Sequence, residues 1–319
     1  MSNFINENTL KNKITFTIIL ILFQVICLSQ NQQMQYSDTL RIVNDLKIIT
    51  KTPQPRNHLN PEILNFVANY IFDELLKACD TVYYQYFTVN GIEYKNVIGS
   101  IGSNKSERLV IGAHYDVAKI QEGADDNASG IVGVLELARL MSKDSTKYAI
   151  DFVAYSLEEP PYFRTKNMGS YVHAKSLHDN GVELKGMICL EMIGYFSDKK
   201  GSQHYPIFLM KPFYGNKGDY ITVVQKFGNG NFGKQFEGLM KKQKTIRTKS
   251  FKSFARLPGV DFSDHLNYWK FDYNAVMITN TAFYRNRNYH KPTDKMETLD
   301  INRMSLVIDE IYMSVMELK

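Results

Sequence analysis

Residues 108–141 read RLVIGAHYDVAKIQEGADDNASGIVGVLELARLM. The stretch opens with a short apolar strand pattern, Arg108–Ala113, and ends with apolar residues at helical spacing from Ile131 to Met141. Between these two patterns lie the imidazole of His114 and, among other acidic groups, the carboxylates of Asp116, Asp125 and Asp126. So many ligating groups between an apolar strand and an apolar helix are typical of a site for zinc or a similar cation.

Strand and helix patterns alternate along the rest of the chain. Strands are predicted at Thr81–Val89, Tyr94–Ile101, Ala149–Tyr155, Met187–Ile193 and Asn274–Thr279, and helices from Pro61 towards Cys79, at Met168–Asn180 and at Asn302–Leu318. Asn90-Gly91 predicts a hairpin between the first two strands. The alternation indicates an α/β fold with a largely parallel sheet covered on both faces, which the hairpin makes mixed. Sites in such folds lie at the carboxyl ends of the strands.

Composition is that of an ordinary globular protein. Of 319 residues, 44% are hydrophobic and 22% charged, which is enough apolar material for a large core. No internal linker or repeat is visible, so residues 30–319 are expected to form a single catalytic domain. The net charge of +5 is modest, and the main basic cluster, residues 241–249, is interpreted as a solvated loop or helix end. Nothing in the sequence indicates a nucleic-acid partner.

The first 29 residues have the pattern of an export signal. Lys11 and Lys13 precede an apolar run, Ile14–Leu28, that is short for a membrane span but fits a signal core. Cys27 and Ser29 are small residues placed for cleavage before Gln30. A secreted or periplasmic protein is therefore predicted, and the alternative is an uncleaved N-terminal anchor that attaches the protein to a membrane. Cleavage leaves Cys79 and Cys189, which suit free thiols or a disulfide.

His114 and Asp116 end the strand of the opening stretch. Because the chain is extended there, both side chains project to the same side, and a carboxylate so placed can orient a metal-bound histidine. Of the acidic pair that leads into the helix, Asp125 is predicted to bridge two cations, and Asp126 to cap the helix or support the site.

Three further groups follow later strands. Adjacent side chains leave an extended chain in opposite directions, so one of Glu158 and Glu159 can bind metal while the other faces the activated water. Glu191 interrupts an apolar strand, where a charged residue is rarely buried without a partner. His290 lies in a loop before the last helix, and alone it would be an unremarkable surface histidine.

Taken together, these motifs resemble the co-catalytic zinc aminopeptidase family, which also includes carboxypeptidase-like members and related glutaminyl cyclases. The resemblance runs from about Leu40 to the C-terminus. It rests on Gly-Ala-His114-Tyr-Asp116, Gly-Ala-Asp125-Asp126-Asn-Ala-Ser-Gly, Glu158-Glu159, Gly169-Ser170, Leu190-Glu191-Met-Ile-Gly, Ser263-Asp264-His265 and His290.

The resemblance implies a fold, a cofactor and residue roles. The fold would be a three-layer α/β/α sandwich of the phosphorylase/hydrolase type around a mixed, mostly parallel sheet. Two zinc ions are implied, and a single ion is the alternative. The first ion would be bound by His114, Asp125 and Glu191. The second would be bound by Asp125, Glu159 and His290. Glu158 would be the general base, Asp116 would assist catalysis, and Asp264 and His265 would support the site without ligating. The implied activity is hydrolysis of N-terminal peptide bonds.

Two departures from the family pattern bear on this expectation. Many such aminopeptidases have Asp where Glu191 stands, which affects how the first metal is held. The segment Pro160–Thr165 is longer than usual, aromatic and basic, and suits capping the pocket or binding a carboxylate. Tyr284 and Arg285, close before His290, are also candidates to line the pocket.

Two alternatives to the aminopeptidase remain. One is a single-zinc enzyme resembling glutaminyl cyclases, which would carry out acyl transfer instead of hydrolysis. The other is a non-catalytic ectodomain of the same fold, although such relatives usually lose ligands and all five are present here.

Overall fold

The computed structural model describes residues 35–207, 210–228 and 230–319. Residues 37–319 form one compact unit, and of the preceding unit, residues 1–36, only the last two residues are described. The expected leader, residues 1–29, lies outside the described residues. Within the described ranges, every helix is too short or too polar to cross a membrane.

An eight-stranded sheet forms the middle of the compact unit. Its strands are β1 Thr81–Val89, β2 Ile92–Ile101, β3 Arg108–His114, β4 Ala149–Tyr155, β5 Leu184–Glu191, β6 Ile221–Lys226, β7 Thr248–Ser253 and β8 Ala275–Thr279. Their order across the sheet is β1-β2-β4-β3-β5-β8-β6-β7. The pairs β3–β4, β3–β5, β5–β8 and β6–β7 are parallel, and β1–β2, β2–β4 and β6–β8 are antiparallel. The expected mixed, mostly parallel sheet is confirmed.

Helices cover both faces of this sheet. They are α1 Thr39–Thr50, α2 Pro61–Leu76, α3 Gly130–Met141, α4 Gly169–Asp179, α5 Lys211–Tyr214, α6 Phe232–Gln243, α7 His265–Lys270 and α8 Ile301–Met316. Ile111 of β3 points into the apolar core formed with α1, α2, α3, α6 and α8. Its neighbour Val110 points into the second core, formed with α4 and α7. Two cores on opposite faces of one sheet make the three-layer α/β/α sandwich that the resemblance implied.

Close packing of α3 on β5 fixes the turn that carries the acidic pair. A Cβ atom on Gly133 would lie 2.9 Å from Cδ1 of both Leu190 and Ile193, so a larger residue would have to push these side-chain ends aside. Almost the whole of α3 is buried, and only Arg139 is partly exposed. The irregular helical turn before it, Ala124–Ser129, is consequently held against the end of β5.

Several elements differ from the sequence-based expectations. β5 begins three residues earlier than expected and ends at Glu191, so this carboxylate lies at the strand end and not within the strand. The pattern analysis did not identify α1, α6, α7, β6 or β7. Both cysteines expected in the mature chain are free thiols.

Candidate metal centre

Five side chains that could hold a metal ion meet at the carboxyl ends of the central strands. His114 ends β3, Glu191 ends β5, and Glu159 follows β4. Asp126 belongs to the turn before α3, and His290 comes from the loop after β8. Because β4, β3, β5 and β8 are neighbours in the sheet, their ends bring residues from distant parts of the sequence to one place.

These side chains form two groups that share one carboxylate. In the first group, His114 Nε2 lies 3.4 Å from Glu191 Oε2 and 3.5 Å from Asp126 Oδ1. In the second group, His290 Nε2 lies 3.2 Å from both Asp126 Oδ2 and Glu159 Oε2. Within each group, one ligand atom per residue lies within 4.8 Å of the others. The arrangement suits two cations joined by a bridging carboxylate.

Asp126, and not Asp125 as expected, supplies the carboxylate that the two groups share. Asp125 Oδ1 accepts hydrogen bonds from the backbone N–H groups of Gly194 (3.0 Å) and Tyr195 (3.1 Å). Its Oδ2 accepts from the side-chain amides of Asn280 (2.8 Å) and Asn286 (2.7 Å). Because the Asp125 carboxylate accepts four hydrogen bonds on the far side of the turn, it stabilises the loops and does not face the histidines.

Asp116 orients the acidic pair after β4. Its Oδ1 and Oδ2 accept hydrogen bonds from the backbone N–H groups of Glu158 and Glu159, each at 3.1 Å. His114 Nδ1 lies 3.6 Å from Asp116 Oδ1, so the same carboxylate also faces the outer nitrogen of a ligating histidine. Asp116 therefore positions both the imidazole and the two glutamates.

Glu158 lies beside the shared carboxylate without joining either ligand group. Its Oε2 is 3.9 Å from His114 Nε2, and the side chain is almost completely buried. Burial, reinforced by the nearby charges of Glu159 and Glu191, raises the pKa of Glu158 well above its usual range, although His114 opposes the shift. A buried carboxyl group of this kind suits proton transfer.

The second group binds protons strongly because its charges are crowded. Burial, together with the charge of Asp126, raises the pKa of Glu159 to about 8. Burial lowers the pKa of His290, but the close carboxylates of Asp126 and Glu159 outweigh it and raise the value to about 10. Asp126 Oδ2, Glu159 Oε1 and His290 Nε2 are also buried without a hydrogen-bond partner. Orphaned ligand atoms that face one another are what a cation site requires, so these residues fit a metal.

Glu191 is held in place by a hydroxyl group that the sequence motifs had included without a role. Ser263 Oγ donates a hydrogen bond to Glu191 Oε2 at 2.7 Å. Asn127 braces the same strand end, since its Nδ2 donates to the carbonyl oxygen of Leu190 at 2.9 Å and its Oδ1 accepts from the N–H of Met192 at 3.0 Å. Glu191 is therefore oriented both by the Ser263 hydroxyl group and by the strand end that Asn127 braces.

Two other supporting residues lay outside the sequence-based assignments. Asp294 accepts hydrogen bonds from the backbone N–H groups of Asp125 and Asp126, each at 3.0 Å. Arg56 is fully buried and donates to the carbonyl oxygens of Tyr115 (2.8 Å) and Gly123 (2.6 Å). A sequence signal existed only for Asp294, which stands four residues after the ligand His290.

The Ser263-Asp264-His265 motif contributes unequally. Asp264 is buried, and burial raises its pKa to about 7 while the nearby charge of His114 lowers it. His265 donates from Nε2 to the carbonyl oxygen of Val260 at 2.7 Å and packs edge-on against Trp269. The imidazole thus braces the loop and contacts none of the five ligating groups.

The long segment after Glu159 lies near a large pocket that begins at the metal centre. Arg164 forms an ion pair with Asp261, and its guanidinium lies 5.1 Å from the ring centre of Phe262, which lines the pocket. The arginine therefore already has a carboxylate partner within the chain. Tyr284 lines the same pocket, whereas Arg285 lies buried outside its wall.

Comparison with known proteins identifies relatives across most of the chain. The model of Peptidase family M28 matches residues 96–315. The uncharacterized protein YfbL of Escherichia coli (strain K12) is 41% identical over 274 residues, which cover 83% of this chain and 84% of that protein. Leucine aminopeptidase 1 of Fusarium vanettenii is 26% identical over 71% of this chain, which spans 55% of that protein's length.

Solved structures share the fold at low sequence identity. The LapA aminopeptidase of Legionella pneumophila has a TM-score of 0.68 at 18% identity, covering 88% of this chain and 72% of its own. The Bacteroides thetaiotaomicron glutaminyl cyclase bound to N-acetylhistamine has a TM-score of 0.67 at 19% identity, covering 90% and 99%. These likenesses establish the three-layer fold alone. The family model, which covers most of the chain, and the 41% identical relative establish more: the chain belongs to peptidase family M28.

Proposed function

We propose that this chain is a zinc-dependent exopeptidase, and specifically an aminopeptidase that hydrolyses N-terminal peptide bonds. The observation that carries the proposal is the carboxylate of Asp126, whose two oxygens face two different histidines while Glu158 lies alongside. Membership of a peptidase family supports hydrolysis of peptides, and the relative named leucine aminopeptidase 1 supports action at the N-terminus.

The donor set of imidazole nitrogens and carboxylate oxygens suits zinc. One ion would be held by His114, Asp126 and Glu191, and the other by Asp126, Glu159 and His290. When bound, such ions lower the pKa of a coordinated water and polarise the scissile carbonyl group. The three carboxylate ligands contribute three negative charges. These nearly balance the four positive charges of two divalent cations.

Within this centre Glu158 is the proton carrier. Its carboxylate would take a proton from the attacking water and pass it to the leaving amine, which requires one group to act first as base and then as acid. Asp116 fixes the backbone of Glu158 through the hydrogen bond to its N–H. The same aspartate keeps the imidazole of His114 oriented, so the base and a ligand are positioned together.

Replacement of Glu158 tests the proposal. The variant Glu158→Ala should lose turnover of an amino-acyl anilide by at least about 100- to 10,000-fold, because a positioned acid–base group contributes that much. Its zinc content, measured by mass spectrometry of the metal, should equal that of the unchanged protein. Retained turnover would refute the assignment of Glu158 as the base. Loss of zinc together with turnover would refute the placement of Glu158 outside the two ligand groups.

A single-zinc glutaminyl cyclase is the alternative, supported by the similar fold of the Bacteroides thetaiotaomicron enzyme. Parallel assays of an amino-acyl anilide and of a peptide with N-terminal glutamine separate the two activities. Two ions per chain and anilide hydrolysis support the aminopeptidase, whereas one ion and release of ammonia support the cyclase. Absence of both activities with no bound zinc would support a non-catalytic ectodomain.

We also propose that residues 30–319 act outside the cytoplasm as one catalytic domain. The support is the signal-like pattern of residues 1–29, and determining the N-terminal residue of the protein recovered from exported fractions tests it. A chain beginning at Gln30 supports cleavage, and an intact leader in the membrane fraction supports an anchor.

A further inference from the structure

A pocket leads away from the metal centre. Glu191 forms part of its wall at the end nearest the ligands, and Thr279 and residues 282–284, between β8 and His290, form another part. A peptide whose first amide bond lies at the metal centre would place its N-terminal side chain in this pocket. The inference rests on the proposed aminopeptidase function, because that function places the N-terminal side chain in the pocket.

The pocket walls are almost entirely apolar and aromatic. Several aromatic rings contribute to them, including Tyr205, Tyr214, Tyr220, Phe251, Phe262 and Phe283. Apart from Glu191, none of the described residues in the wall is an Asp, Glu, Lys or Arg. Burying an apolar substrate side chain in such a pocket lowers the free energy of the complex.

Two cations lie directly behind one of these rings. Lys249 Nζ is 3.9 Å from the ring centre of Tyr220, and Arg285 Cζ is 4.7 Å from it. Lys249 donates to the carbonyl oxygen of Tyr214, and Arg285 Nε donates to Gln203 Oε1 at 2.8 Å. Two side chains of the pocket wall, Tyr220 and Gln203, and the backbone of Tyr214 are thus in contact with buried or half-buried positive charge.

This positive charge is not neutralised locally. Among the described residues, no carboxylate lies within 4.0 Å of Lys249 or Arg285, and both terminal nitrogens of Arg285 are buried without a partner. The nearby carboxylate of Asp219 is already paired with Arg247 at 3.2 Å. Burial lowers the pKa of Lys249 to about 8 and that of Arg285 to about 10. Buried charges in proteins are normally paired, so two unpaired cations behind one ring require an explanation.

We propose that Lys249 and Arg285 select the N-terminal residue by charge: acting through the ring of Tyr220, they exclude lysine and arginine side chains from the pocket and leave it to long uncharged ones. A cationic side chain would enter an apolar space with like charges behind the wall, where weak screening makes repulsion strong. Repulsion of this kind discriminates without any contact with the favoured substrate. Norleucine and lysine have side chains of nearly the same shape, so they isolate the effect of charge.

The test uses the full zinc-loaded chain and matched pairs of amino-acyl anilides. The pairs are norleucyl and lysyl, which compare neutral with cationic, and glutaminyl and glutamyl, which compare neutral with anionic. Lys249→Met removes the charge but keeps an unbranched side chain against the ring, and Lys249→Arg keeps the charge. Lys242→Met is the control, because Lys242 is exposed and paired with Glu317.

In Lys249→Met, the ratio of kcat/KM for lysyl over norleucyl substrate should rise about tenfold, since one of two repelling charges is gone. The ratio for glutamyl over glutaminyl substrate should fall. Lys249→Arg and Lys242→Met should keep both ratios close to those of the unchanged protein. Opposite shifts for the two pairs identify charge, because a distorted pocket would change both ratios in the same sense.

Unmoved ratios, or ratios that move together, would overturn the proposal while leaving the aminopeptidase function intact. If the norleucyl substrate is not hydrolysed at all, the proposed function fails first, and calorimetry with free norleucine and free lysine then decides the matter. The unchanged protein should bind norleucine more tightly than lysine, and Lys249→Met should narrow that difference. Equal binding of the two amino acids by the unchanged protein would overturn the proposal.

Discussion

Asp125 and Asp126 are neighbours in sequence, yet their carboxylates face opposite sides of the same turn. Asp126 faces the two histidines, with oxygens 3.5 Å from His114 Nε2 and 3.2 Å from His290 Nε2. Asp125 faces four hydrogen-bond donors from the loops behind the turn. One aspartate is thus placed for metal binding, and the other holds the architecture.

The two aspartates should therefore respond differently to amidation. Asp126→Asn should reduce bound zinc from two ions to one or none. Its activity should fall by more than about 10- to 100-fold, which is the loss typical of groups that only orient a ligand. Asp125→Asn should keep more zinc but lose about 1–3 kcal/mol of unfolding free energy, because one amide group would oppose N–H donors. Metal analysis and urea unfolding measure both, and equal zinc loss in the two variants would contradict the assignment.

The hydroxyl group of Ser263 provides a second prediction. Ser263→Ala removes the 2.7 Å hydrogen bond to Glu191 and should weaken zinc binding at the His114 group by about 10- to 100-fold. Zinc remaining after dialysis against a weak chelator should approach one ion per chain. Ser142→Ala, at the exposed end of α3, is the matched control and should keep two ions. Retention of both ions by Ser263→Ala would show that Glu191 needs no support.

Zinc binding should release protons at neutral pH. Without metal, His290 with a pKa of about 10 and Glu159 with a pKa of about 8 hold protons that a cation must displace. Affinity should consequently fall as pH drops, about tenfold per pH unit for each proton displaced. Zinc titrations by calorimetry in two buffers of different ionisation enthalpy measure the release. Heats that do not depend on the buffer would contradict it.

Glu310 on α8 should make the metal-free protein less stable at higher pH. Burial raises the pKa of Glu310 from 4.5 to about 7, although it accepts hydrogen bonds from Ile246 N–H and Thr248 Oγ1. The folded state then binds more protons than the unfolded state between these two values. Stability therefore falls as pH rises from about 4.5 to about 7 and stays reduced above that range.

Glu310→Gln should abolish this pH dependence, since the amide mimics the protonated acid. At pH 8 and with chelator present, it should raise the unfolding free energy by about 2–3 kcal/mol. Glu317→Gln, in the exposed ion pair with Lys242 near the end of the same helix, should change stability by less than about 1 kcal/mol. Urea unfolding at pH 5 and pH 8 checks both variants. A destabilised Glu310→Gln at pH 8 would show that the carboxylate is needed in its charged form.

Sequence patterns predicted the strands that are buried on both faces. β3, β4 and β8 are mainly apolar, and their positions matched the prediction within one residue. β7, with the sequence TKSFKS, is a half-buried edge strand, and its lysines obscure the apolar pattern of a strand. It is a strand because it pairs with β6, which its local sequence does not indicate. The hairpin at Asn90-Gly91 was predictable because its turn residues specify it locally.

The shared carboxylate could not be chosen from the sequence. The turn that carries it is neither extended nor regularly helical: Asp126 has φ −107° and ψ 92°, and Asn127 has φ −132° and ψ 39°. No simple periodicity tells which of two adjacent side chains faces the strand ends in such a turn. The role of Asp294 could not be read from its place near His290, because its partners are backbone groups 168 and 169 positions earlier in the chain.

The position of His290 and Asp294 near the C-terminus has a consequence for biosynthesis. One supplies the histidine of the second ligand group, and the other holds the backbone of the turn that carries the shared carboxylate. A ribosome must therefore add more than 160 residues after Asp126 before the two halves of the centre can assemble. Any chain that stops before His290 lacks one histidine of the second group and the carboxylate that holds the turn.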